Sequence, residues 1–171
     1  MNIPKSIGDI LGLALFAVLL GLGRTLYAKY GKNISNVLLV GMFGALVCYL
    51  TAGLSNNPII SLIACVLTGM CTSMLWPGTL ILMEEKISGV GITAYALMAA
   101  GGDFGASIAP QMLGIIVDKV AASGFAESLS KTLPLSTEQI GMKSGMLAAA
   151  LFPFLGVILL LYIKRFFKRK V

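Results

Sequence analysis

Histidine is absent from this chain of 171 residues, and charged residues are scarce at 12%. Without imidazole the protein cannot build a Ser-His or Cys-His nucleophile pair or an imidazole metal site. A glycine-rich phosphate loop ending in Lys-Ser or Lys-Thr is also missing. The only adjacent acid pair, Glu84-Glu85, is expected at a solvated helix end. The sequence therefore predicts neither an enzyme nor a resident cofactor or metal.

The three cysteines, Cys48, Cys65 and Cys71, all fall inside apolar segments and lack metal-ligand spacing. We interpret them as small packing residues rather than as a disulfide framework or a zinc site.

Long apolar runs are what the chain has in abundance, with 57% hydrophobic residues and a mean hydropathy of +0.92. Such runs predict an all-α membrane protein with five transmembrane helices in one domain. Short segments of alternating polarity, which are typical of membrane β-strands, are not visible. The predicted spans cover approximately residues 7–28, 35–54, 58–84, 90–117 and 142–164, with an external loop at 118–141.

The net charge of +6 is unevenly distributed. If the helices alternate in direction, nine of the 13 basic residues share one side, including those of the tail at 164–171. A nucleic-acid-binding tail is the alternative, but the positive-inside rule explains the same residues without nucleic acid. We therefore predict a multi-pass protein of the plasma or cytoplasmic membrane with a cytoplasmic C-terminus, and a tail attracted to anionic lipids.

The stretch from Gly101 to Gln111 places a carboxylate, Asp103, near the centre of the fourth apolar segment. An acid at mid-membrane costs about 2.5–3.5 kcal/mol on insertion scales, so it normally faces protein, water or a ligand. Ser107 and Gln111 share its helix face at four-residue spacing, while Tyr95 lies near the inner continuation of that stripe. The alternative is a structural acid that bonds to backbone groups freed by the nearby glycines and Pro110.

The third apolar segment carries Thr72, Trp76 and Thr79 on one face. Pro77 removes a backbone donor, which predicts a kink and a freed carbonyl near the Trp76 ring. Trp76 is either a stacking platform or gate for a solute, or ordinary core packing.

Local signals predict further details. Ser55 to Pro58 indicates a tight turn with Pro58 in the first turn of the third span, and Ser136 with Gln139 indicates a capping box. The second span is nearly featureless, and we expect it, like the fifth, to be peripheral and to face lipid.

The segment Lys29-Tyr30-Gly31-Lys32 resembles the second-half copy of the cytoplasmic motif of the major facilitator superfamily, Gly-x-x-x-Asp-Arg-x-Gly-Arg-Arg. Gly31 aligns with its second glycine, and Lys29 and Lys32 fall on basic positions. Arg24 replaces the first glycine and Ala28 the aspartate. Residues 76–78 and 100–105, with 109–110 and Gly114, are similar to the tenth and eleventh helices of such transporters.

The resemblance extends over essentially the whole chain, as the eighth to twelfth helices of a sugar-permease-like or general small-solute transporter. It implies a partial C-terminal half of a major facilitator fold with inverted three-helix repeats. It also implies a secondary transporter that moves a small organic solute by alternating access. Arg24, Lys29 and Lys32 would pair with acids or helix ends that hold one conformational state.

Half a cavity cannot alternate, so the resemblance implies a chain that is inactive unless another chain supplies an N-terminal half. The rival hypothesis is a non-transporting membrane fragment that acts as a scaffold or assembly partner.

Overall fold

A computed structural model describes residues 5–133 and 135–168, with backbone alone for 5–9 and 168. Arg169 and Lys170 of the basic tail lie outside the described residues. The described part of the chain consists of helices joined by short turns and contains no strand. Its helices are α1 (Lys5–Tyr30), α2 (Ile34–Leu54), α3 (Pro58–Thr72), α4 (Leu75–Lys86), α5 (Ile92–Ala121), α6 (Gly124–Thr132), α7 (Thr137–Ala149) and α8 (Leu151–Lys168).

Five helical segments are long and apolar enough to cross a membrane, which confirms the all-helical prediction. They are Ile10–Tyr30, Ile34–Leu54, Pro58–Lys86, Ile92–Ala121 and Thr137–Phe167. The third combines α3 with α4, and the fifth combines α7 with α8.

The connection predicted at 118–141 is largely helical. It contains the end of α5, the whole of α6 and the start of α7. Serine caps explain the extra helix: the Ser123 hydroxyl accepts a hydrogen bond from the backbone N–H of Ala126 at 3.3 Å. A side-chain cap of this kind satisfies a first-turn donor that would otherwise lack a partner.

Two predicted helix starts are confirmed. The Asn57 side chain accepts a hydrogen bond from the Ile59 N–H at 2.9 Å, and Pro58 occupies the first turn of α3. At α7 the Ser136 hydroxyl and the Gln139 side chain each accept a bond from the other residue's backbone N–H, at 3.2 and 3.0 Å. This is the capping box expected from the sequence.

Proline divides the third and fifth spans. α3 ends at Thr72 and α4 begins at Leu75, ahead of Pro77. α7 ends at Ala149, and Pro153 lies in the first turn of α8. Because proline has no N–H, the carbonyl four residues earlier loses its helical donor. Pro110, in contrast, lies inside an uninterrupted α5.

The expectation that the second span is peripheral is wrong. α2 packs against α3, α4, α7 and α8, and Ile34 and Leu38 near its start are fully buried. With Met74 and Leu82 they form a buried cluster. The prediction failed because it was based on the lack of polar residues in this helix. In lipid, apolar side chains do not by themselves favour a central or a peripheral position, and small residues determine which helices pack closely.

α1 and α5 lie at the periphery. α1 packs on α3, and α5 packs mainly on α7, with α6 against both α5 and α7. No described residue of α5 is buried. The helix that carries Asp103 is therefore an edge helix.

A glycine facing a backbone carbonyl marks each of the most extensive helix contacts. Gly69 of α3 faces the Phe16 carbonyl of α1, and Gly41 of α2 faces the Cys71 carbonyl of α3. Gly141 of α7 faces the Val117 carbonyl of α5, where an added Cβ would lie 2.6 Å from the oxygen. Close backbone approach at small residues is how helices associate in lipid.

Gly69→Ala tests this packing. We expect the free energy of unfolding to fall by about 1–3 kcal/mol, because the methyl group would collide with the backbone of Phe16. The measurement is unfolding of the purified protein in mixed micelles with rising SDS, followed by circular dichroism.

The matched control is Gly21→Ala on α1, where nothing lies within 4 Å of the added Cβ. Alanine favours a helix over glycine by roughly 0.5–1 kcal/mol, so this variant should be unchanged or slightly more stable. Equal stability of the two variants would contradict glycine-mediated packing.

Candidate functional site

Asp103 is exposed on α5, together with Ser107 and Gln111 on the same helix face. The Ser107 hydroxyl donates a hydrogen bond to the backbone carbonyl of Asp103 at 2.8 Å. Within residues 5–133 and 135–168, no hydrogen bond or ion pair reaches the Asp103 carboxylate. The structural alternative, in which this acid bonds to freed backbone groups, has no such bond in the described part of the chain.

An exposed carboxylate at this position has an energetic consequence. Asp103 is the twelfth residue of a 30-residue helix, well away from both ends of the span. Direct contact with lipid there is unfavourable by about 2.5–3.5 kcal/mol on insertion scales. In a bilayer this face of α5 therefore requires water, a ligand or another protein against it.

Trp76 of α4 packs on Gly102, the neighbour of Asp103. A Cβ added at Gly102 would lie 2.9 Å from Cη2 of the indole ring. Trp76 as a whole still has 46% of its surface exposed. Glycine at 102 thus lets the indole ring of the third span reach α5 at the residue before Asp103.

The threonines predicted to accompany Trp76 bond within their own helices. The Thr79 hydroxyl donates to the Trp76 carbonyl at 2.8 Å, and the Thr72 hydroxyl donates to the Thr68 carbonyl at 2.8 Å. Thr72 also lines a largely apolar cleft of about 290 Å³, opposite Ala109 of α5 and Phe152 of α8. Tyr95 is half-buried, about two turns before Asp103.

The break between α3 and α4 exposes a carbonyl that α1 satisfies. Pro77 cannot donate to the Ser73 carbonyl, its partner in a regular helix. Arg24 of α1 supplies the missing donor, with its Nε 3.1 Å from the Ser73 oxygen. Beside it, Gly23 packs against the Ser73 side chain, where an added Cβ would lie 2.7 Å from Ser73 Cβ.

Arg24 therefore pairs with a helix end, because Ser73 is the C-terminal cap of α3. The other residues of the basic motif lie apart from this contact. The Lys29 Nζ lies 5.2 Å from the centre of the Tyr30 ring. The Gly31 N–H donates to the Tyr27 carbonyl at 2.7 Å, and Lys32 is exposed in the turn before α2.

Sequence reasoning missed Ser73 and Gly102. Ser73 lies four residues before Pro77, and that spacing alone identifies the carbonyl that loses its donor. Gly102 gave no comparable signal, because Gly101 and Gly105 lie close by and only the fold shows which one meets the indole ring.

No protein-family model, no curated protein and no solved structure matches this chain, so the resemblance to the major facilitator superfamily stays a prediction.

Arg24→Met tests the contact with the helix break. The variant leaves the Ser73 carbonyl without its donor, and we expect a loss of about 1 kcal/mol in the free energy of unfolding. In a Pro77→Ala background, the restored backbone N–H at position 77 can bond to Ser73. In that background, Arg24→Met should lower the free energy of unfolding by less than half as much as it does in the original protein.

Both losses are measured by unfolding in mixed micelles, as a double-mutant cycle. Lys29→Met provides the control for removing a basic residue from α1, since the Lys29 Nζ lies near the Tyr30 ring and makes no hydrogen bond or ion pair within the described residues. Additive effects of Arg24→Met and Pro77→Ala would show that Arg24 does not compensate for the proline.

Proposed function

We propose that this protein is the C-terminal part of a secondary active transporter of the major facilitator type. In this proposal it moves a small organic solute, such as a sugar, by alternating access coupled to a proton or ion. It lies in the plasma or cytoplasmic membrane with its C-terminus in the cytoplasm, and it performs no enzymatic reaction.

The observation that carries the proposal is the exposed stripe of Asp103, Ser107 and Gln111 on a membrane-spanning helix. An acid in such a position is typical of an ion or solute pathway. Trp76 adds an aromatic ring in contact with Gly102, the residue before the acid. In the proposal the carboxylate holds a proton or a polar solute, and the ring of Trp76 belongs to the same surface of the protein.

The interruption between α3 and α4 in the third span is a second observation in favour of a transporter. Interrupted helices accompany binding sites in transporters, where the freed backbone groups line the site. In this chain the break at Ser73 is joined to α1 by Arg24 and precedes Trp76 by three residues. Breaking the hydrogen bond between Arg24 and Ser73 would therefore alter the position of the Trp76 ring, one helical turn away, where it contacts α5.

The stripe faces outward from the described helices, so these five spans do not enclose it. A closed pathway needs helices opposite Asp103. We propose that an N-terminal transporter half on another chain supplies them, and that the five spans alone do not transport.

A non-transporting scaffold is the second candidate. The most apolar windows of α1 and α5 contain no buried residue, so both edges of the bundle offer surface to other membrane proteins. This reading explains the exposed edges without assigning any solute to Asp103.

Asp103→Asn distinguishes the two candidates in cells that naturally produce the protein. For a transporter, uptake of at least one labelled solute from a panel of sugars and small organic acids should fall at least tenfold, because the asparagine side chain neither takes up nor releases a proton and carries no charge. Asp118→Asn, near the end of α5, is the control and should retain uptake.

Purified protein in proteoliposomes provides the second measurement, and we expect no uptake from this chain alone. Robust uptake that depends on Asp103 would contradict the proposal that these five spans alone form an incomplete pathway. Unchanged uptake of every solute in the Asp103→Asn cells would instead reject the transporter and favour the scaffold.

A further inference from the structure

A cleft lined by lysines and apolar side chains lies at the end of the bundle where the turn at 31–33 joins α1 to α2. It has a volume of about 480 Å³ and receives lysines from three separate elements: Lys32 from the turn, Lys86 from the end of α4 and Lys164 from α8. We call it the basic cleft. It lies apart from the Asp103 stripe and shares only Lys32 with the basic motif.

The charges of the basic cleft are not balanced. Glu85 is its one lining acid, against the three lysines. In the part of the chain that the structure describes, the single ion pair is Lys131–Glu127, far from this cleft. The cleft therefore presents a net positive charge without an internal carboxylate bound to it.

Lys164 is held over the start of α2. Its Nζ donates a hydrogen bond to Asn36 Oδ1 at 2.6 Å, across 128 residues of chain. Ser35 also lines the cleft, in the first turn of α2, where the Asn33 side chain accepts a hydrogen bond from the Asn36 N–H at 3.3 Å. The Ser35 hydroxyl adds a neutral donor to the ammonium groups of the cleft.

The remaining wall is apolar. Leu82 of α4 and Leu160 and Ile163 of α8 line the cleft in the turns of helix that precede Lys86 and Lys164, and Phe167 lines it one turn beyond Lys164. Both elements belong to membrane spans, so this wall continues toward the hydrocarbon region. A ligand that fits both parts has an anionic head and an apolar body.

We infer that the basic cleft binds the phosphate headgroup of one anionic phospholipid, with an acyl chain along the wall formed by Leu160 and Ile163. The positive-inside rule explains why lysines accumulate on one side of a membrane. It does not explain why three elements bring them around one concave space with an apolar wall. A bound lipid would join α2, α4 and α8 at this end of the bundle.

Native mass spectrometry of the whole chain in detergent tests the inference, with phosphatidylglycerol as the probe and phosphatidylcholine for comparison. We expect one tightly bound phosphatidylglycerol. Each lysine near an anionic headgroup contributes about fivefold to affinity, so Lys32→Gln with Lys86→Gln should weaken binding by about 30-fold at low salt. Glu85→Gln should strengthen it severalfold.

The matched control is Lys119→Gln with Lys131→Gln, which removes the same charge at the opposite end of the bundle and should change affinity less than twofold. Lys32→Gln alone, in an exposed turn, serves if the double variant does not fold. An equal loss in the control, or unchanged binding in the cleft variants, would overturn the inference. Displacement of phosphatidylglycerol by an equal concentration of glycerol phosphate would assign the cleft to a soluble phosphate instead.

Discussion

Backbone contact at glycine is the constraint on which the rest of this structure depends. Lipid tails are as apolar as leucine, so burial of apolar side chains cannot by itself join two spans. Gly69, Gly41 and Gly141 let α3, α2 and α7 each reach a neighbouring carbonyl. These contacts define which helices are neighbours, and so they determine that α2 is central and that α5, with its acid, is at an edge.

The helix break at Ser73 connects this packing to the candidate site. Pro77 deprives one carbonyl of its donor, and Arg24 compensates from the adjacent α1. Arginine is suited to the task because its guanidinium stays charged and presents several donors from a long side chain. Trp76 lies three residues after Ser73, and its ring packs against Gly102 of α5. The segment from Ser73 to Trp76 thereby connects Arg24, a residue of the basic motif, to Gly102, the residue before Asp103.

Local features of this chain could be predicted from its sequence, whereas relations between distant residues could not. Apolar length predicted the five spans, and Pro58, Ser136 and Gln139 predicted helix starts, because each depends on a few consecutive residues. Pro77 predicted a freed carbonyl but not that Arg24 would bond to it. The stripe of Asp103, Ser107 and Gln111 follows from helical spacing. Its exposure depends on the position of α5 in the bundle.

The same glycine contacts bear on how the protein enters the membrane during synthesis. The most apolar 18-residue stretch of the α5 span has a mean hydropathy of 1.2, against 2.5 for the corresponding stretch of the span that follows it. Asp103 further lowers its preference for the bilayer. α7, which contains the start of that next span, faces the Val117 carbonyl through Gly141. The weakly apolar fourth span would therefore need the fifth span for stable insertion into the membrane, and the two would insert together as a helical pair.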